Sequence, residues 1–140
     1  MNNNKQAILM GVLLLLTGCA MANPTCSSVL ANHHWAGTAN EGGVSVSINQ
    51  LSFNSDLTEM TIADSVDPKP LSTPVHVTCL THKRFALVYS NHGQDDPSML
   101  NLHGRITHTA AGSYSLSMSG TKKVYQKNQE VPVSLDLGSM

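Results

Sequence analysis

Charge and aromatic rings are both scarce in this chain. Only 12% of its 140 residues are charged, and the aromatic set is one Trp, three Tyr and two Phe. Scarce charge removes the basic footprint that nucleic-acid binding requires and leaves no block of like charge to act as a tail. Scarce aromatics argue against an outer-membrane β-barrel, whose strands of about ten residues are flanked by aromatic girdles at both interfaces. Catalytic signatures are missing as well. There is no Gly-x-Ser-x-Gly, no His-Glu-x-x-His, no phosphate loop, and no nucleophile beside an identifiable base. No enzyme is expected, and no cofactor is implied. With no Cys-x-x-Cys, a redox role for cysteine is not expected either.

What is present begins at the N-terminus. Lys5 precedes an apolar run over residues 7–16, closed by Leu16-Thr17-Gly18-Cys19. A basic residue, about ten apolar residues and then small residues is the anatomy of an export signal. A membrane-spanning helix needs roughly 20 apolar residues, and Asn23-Pro24-Thr25 arrives too soon for that. Leu16-Thr17-Gly18-Cys19 resembles the lipobox of bacterial lipoproteins. That resemblance implies lipidation of Cys19, and with Ala20 in place of the inner-membrane retention aspartate it implies an outer-membrane anchor. Ala20-Met21-Ala22 offers a competing A-x-A cleavage that would release a chain starting at Asn23. Residues 1–18, or 1–22, are thus read as the signal, and residues 19–140 as one exported β domain with a short linker to about residue 25. The expected location is the outer membrane or periplasm, with secretion the further option.

Three cysteines reduce to two once Cys19 is lipidated or discarded. Cys26 and Cys79 then pair in an oxidising compartment, where a disulfide persists. The mature chain, about 120 residues, is the size of one domain. Losing Lys5 from eight basic residues against nine acidic ones leaves it near −2 with histidine neutral.

After Cys26 no run keeps a convincing period of 3.6, whereas alternation recurs. Val44, Val46 and Ile48 share one face, and Leu51 and Phe53 resume on the other parity, as expected of a bulge at Asn49-Gln50. Further inward sets are Met60 and Ile62; Val75, Val77 and Cys79; Phe85, Leu87 and Tyr89; Leu100, Leu102 and Ile106; Tyr114, Leu116 and Met118; and Val131, Val133, Leu135 and Leu137. Turn-rich segments separate them: residues 54–56, 64–74, 91–97, 111–112 and 127–129. About eight short strands with short connections predict an all-β antiparallel meander. A barrel is favoured over a sandwich because closure removes exposed edges. Trp35-Ala36-Gly37 resembles the Trp-bearing first strand of calycin barrels such as lipocalins and avidins, although the position that is glycine in lipocalins is His33 here.

Candidate sites follow from these faces. A hollow barrel would bind a small apolar ligand or envelope component at a mouth lined by Trp35, Phe85, Tyr89 and Tyr114. Seven histidines are the one compositional excess. His33 and His34 are adjacent and point to opposite faces, so they cannot chelate together. His76, His82 and His103 are the weak candidates for a surface metal site, with no carboxylate or cysteine at ligand spacing; scattered surface histidines are the expected outcome. Asp95 and Asp96 read as turn chemistry rather than a calcium loop. Lys122, Lys123 and Lys127 form a small basic patch. The favoured expectation is an exported non-enzymatic binding barrel. The alternative is a protein-interaction module, such as an inhibitor of a host lysozyme or protease, working through residues 64–74 and 91–97. A filled interior with protruding loops would favour that alternative.

Overall fold

The structure, a computed structural model, describes residues 24–91, 97–110 and 112–140. Among them it contains one helix, α1 (Cys26–Asn32), and nine strands: β1 (Trp35–Glu41), β2 (Val44–Phe53), β3 (Glu59–Asp64), β4 (Leu71–Pro74), β5 (His76–Cys79), β6 (Arg84–Asn91), β7 (Ser98–His108), β8 (Tyr114–Val124) and β9 (Gln129–Ser139). The lipobox and the A-x-A site lie outside the described residues.

The strands form one antiparallel sheet in the order β4-β3-β2-β1-β9-β8-β7-β6-β5. Its two edge strands are consecutive in the chain and separated by Val75 alone. One extended run, residues 71–79, therefore pairs with β3 through its first half and with β6 through its second. The sheet curls into a nearly closed up-and-down barrel of eight staves, sealed by the pairing of the first strand with the last from Trp35↔Ser139 to Glu41↔Val133. The expected all-β meander barrel is what forms.

The expected bulge is there too. Ile48 pairs with Asp64 and Gln50 with Ala63, which leaves Asn49 as the extra residue. It lets Ile48 and Leu51, on opposite parities in the sequence, both enter the core. Val44, expected inward with Val46 and Ile48, is exposed at the rim of the barrel, where the core ends, and two further expectations need correction. Helical periodicity does follow Cys26: Cys26, Val29 and Leu30, at i, i+3 and i+4, are the buried face of α1. A reciprocal capping box between Thr25 and Ser28 starts this helix, supplying partners for amide groups that its first turn leaves free. The second correction is that residues 64–74 are not loop throughout, since their last four form β4.

All strands run between the same two ends of the barrel. At the first end lie α1, the turns over residues 54–58, 80–83 and 109–113, and the C-terminus. The Cys26–Cys79 disulfide, predicted from cysteine count, ties α1 to the end of β5 there. With the two cysteines 53 positions apart in the sequence, the chain-entropy model gives about 4 kcal/mol of stabilisation. At the second end lie the connections over residues 42–43, 65–70 and 125–128, the end of β6 and the start of β7. Gly42 and Gly43, both at positive φ, make a two-residue hairpin turn, the conformation whose twist matches the flanking strands.

Candidate functional site

Whether the interior could hold a ligand is the first question for a small barrel. Eight strands enclose a space just wide enough for side chains to fill, or for one small ligand. Here side chains fill it. Trp35 and Phe85 are 0% exposed, and Leu51, Leu87, Leu102, Leu116 and Met118 pack with them in one continuous core. Phe85 stands opposite Gly104 on the neighbouring strand, and its ring occupies the place where any Cβ at that glycine would go.

Both ends of this core are covered. At the first end α1 lies over the mouth and buries Cys26, Val29 and Leu30. The Trp35 indole N–H points to the carbonyl of Leu30 at 3.5 Å. Leu57, held at φ 57° in the turn between β2 and β3, is buried there as well. Asn54 accepts hydrogen bonds from the amides of Thr58 and Glu59 at 2.8 and 2.9 Å, which fixes that turn. At the second end Glu41 and Lys122 belong to the inward parities of β1 and β8 and reach each other across β9 at 2.8 Å. Their ion pair bridges β9 beside Val131 and Val133, on one side of that mouth.

The four residues expected to line a ligand mouth belong to one packed cluster, with Tyr89 and Tyr114 partly buried against the core that holds Trp35 and Phe85. Trp35 and Phe85 are core residues without accessible surface. Tyr89 lies on β6 opposite Leu100, toward the second end, and is half-buried. Tyr114 is half-buried at the first end, between the rings of His33 and His108 at centroid distances of 5.0 and 5.1 Å. The mouth near Trp35 is the one that α1 covers.

The histidines are dispersed. His33 Nδ1 lies 2.9 Å from the Val29 carbonyl and the ring packs against Trp35, while His34 turns toward Gln50 at 3.4 Å. His76 pairs with Val88 on β6, and His103 pairs with Ala86, two residues along and on the far side of that strand. His82 sits in the turn before β6. Among the described residues no three His, Cys, Asp or Glu side chains are grouped to hold a metal ion. Asp95 and Asp96 lie outside the described residues.

Open clefts occur at the first end. One, of about 470 Å³, is lined by Pro24, Val29, His82, Lys83, Ile106, His108 and Tyr114. Another, of about 400 Å³, runs along the outer wall over Arg84, His103, Gly104, Arg105, Ser117 and Ser119.

The second end presents something different, which sequence reasoning missed. Among the described residues, four of the six exposed large apolar side chains, Val44, Val66, Leu71 and Tyr125, lie at that end, Val66 80% exposed, each in a connection or directly after one; Leu80 and Met140 are exposed at the first end. The four belong to three separate connections, so no local pattern marks them as a set. Val66 projects from a fixed turn. The Asp64 carboxylate accepts from the amides of Val66 and Asp67 at 2.8 and 2.7 Å, and Ser65 is tied to Ser47 by two hydrogen bonds. Tyr125 is held by its amide on the Pro97 carbonyl and by its hydroxyl, which lies 3.7 Å from Met99 Sδ. The side chains ready to meet another molecule are therefore on preset turns rather than inside the barrel. Comparison with protein-family models, with curated proteins and with solved structures yields no match for this chain.

Proposed function

We propose that this protein is an exported protein-interaction module that engages its partner with the second end of the barrel. The observation that carries this reading is the gathering of Val44, Val66, Leu71 and Tyr125 at one end of a barrel whose interior is occupied. A carrier of small apolar ligands needs empty volume, and here the volume belongs to Trp35, Phe85 and the leucines. Recognition of another protein needs exposed apolar anchors on turns that do not have to be ordered at the moment of binding. Preset turns lower the entropic cost of association, and buried aromatic anchors dominate most interfaces. Of the expected segments, the turn over residues 65–70 belongs to this end, and residues 92–96 lie outside the described residues. Inhibition of a host hydrolase is the specific form of this function to test, because a projecting apolar turn suits the cleft of such an enzyme. No catalytic role is assigned to the chain.

The test has two arms. Purified protein is titrated into assays of a c-type lysozyme and of a serine protease, and the complex is weighed by native mass spectrometry. A stoichiometric complex that Val66→Asp and Tyr125→Ala each weaken at least about tenfold, with the thermal midpoint unchanged, is the expected result. One small apolar molecule per chain, co-purifying and retained by both variants, would overturn the reading in favour of a carrier.

A further inference from the structure

The outer wall near the first end carries a charge arrangement that the domain itself does not neutralise. Arg84 and Arg105 stand directly opposite each other on β6 and β7. Like charges in that position destabilise a sheet, and both side chains are exposed. Lys83 precedes Arg84, and its carbonyl accepts from the Ile106 amide at 2.7 Å, which fixes the turn against β7. His82 and His103 flank the three cations, and Lys83, Arg84 and Arg105 share a second shallow cleft of about 380 Å³ with Thr81 and His82. Among the described residues no carboxylate lies within ion-pair distance of these cations, and the one ion pair joins Lys122 to Glu41 at the other end. The carboxylate nearest along the ladder is Asp136, two strands from Arg105 in the row Arg105–Ser117–Asp136. Two strand spacings put it roughly 10 Å away. The groove between is walled by the hydroxyls of Ser117 and Ser119, which can donate to oxyanion oxygens.

The chain enters the domain beside this patch. Pro24 and Lys83 line the same cleft, so the segment carrying Cys19 and the apolar run joins the barrel at its basic end. Five residues from Cys19 to Pro24 span at most about 18 Å. A lipid on Cys19 would keep the first end close to a bilayer and turn the second end away from it.

We propose that Lys83, Arg84 and Arg105, with the Ser117–Ser119 groove, form a membrane-facing surface that binds the phosphates of anionic phospholipids. Bound phosphates offset the repulsion between the two arginines, and they orient the barrel so that Val66 and Tyr125 face away from the membrane. This proposal rests on the export reading but not on the identity of the partner at the other end.

The test uses the full chain with Cys19→Ser, so that no acyl chain contributes, and measures partition onto vesicles of phosphatidylcholine with and without phosphatidylglycerol. Expected is binding that requires phosphatidylglycerol, weakens with salt, and falls about 30-fold in R84S/R105S, at about fivefold per cation near the surface. The double substitution K123S/K127S, which removes as much charge from the other end, should leave partition within about twofold. Thermal unfolding checks that both variants are folded. Equal partition onto both vesicle types, or equal losses in the two variants, would sink the proposal. Binding of inorganic phosphate without binding to vesicles would also overturn it, by making the groove a site for free anions.

Discussion

The two ends of the barrel are closed by different physics. At the first end an amphipathic helix is stapled by a disulfide and buries Cys26, Val29 and Leu30 against the core. At the second end one partly exposed ion pair bridges β1 and β8 over β9, and apolar side chains at the rim are left exposed. Burial of apolar area contributes roughly 25 cal/mol per Å², whereas a surface ion pair is worth about 0–1 kcal/mol. Stability is thus concentrated at the end where the chain enters, and the other end is left to present its turns. A domain built this way can change its recognition turns at little cost to folding.

Substitutions should separate the two ends by size of effect. Replacing both Cys26 and Cys79 with serine removes the staple and should cost about 4 kcal/mol in urea unfolding under non-reducing conditions; a loss below about 1 kcal/mol would mean that α1 holds the mouth without it. Leu30→Ala, at a fully buried position of α1, should cost about 3 kcal/mol and raise hydrogen exchange in α1 and at Trp35 before it does so at the second end. Glu41→Gln breaks the ion pair at the second mouth and should cost less than about 1 kcal/mol in the same unfolding assay. A cost near that of Leu30→Ala would erase the contrast between the ends.

Much of this fold was legible. The inward sets named by alternation, Leu102 with Ile106, Leu116 with Met118, and Val133 with Leu135 and Leu137, are buried as expected, because a strand alternates faces with a period of two wherever one face is packed. The parity change between Ile48 and Leu51 located the bulge. Helix α1 was missed although its apolar spacing was visible, since seven residues make too short a window for a period of 3.6 to stand out. Residues 71–74 read as loop in the sequence because Pro70 precedes and Pro74 ends a strand that has only edge pairing to make. The candidate site was far less legible. Trp35 and Phe85 looked like lining residues for a cavity, and the same alternation that points a ring inward cannot say whether the inside is empty.

Sequence alone determined the all-β class, the inward parity of the strands it located and the cysteine pair, all of which depend on local alternation or on counting. The tertiary structure decided the rest. Whether eight staves enclose a cavity depends on strand register and on the volumes that meet across the centre, as Phe85 meets Gly104. How near the connections of one end lie to each other depends on closure of β1 against β9, which gathers Val44, Val66, Leu71 and Tyr125 around one rim from distant parts of the chain. Arg84 and Arg105 became neighbours by the register of β6 with β7, a long-range pairing that no spacing in the sequence encodes.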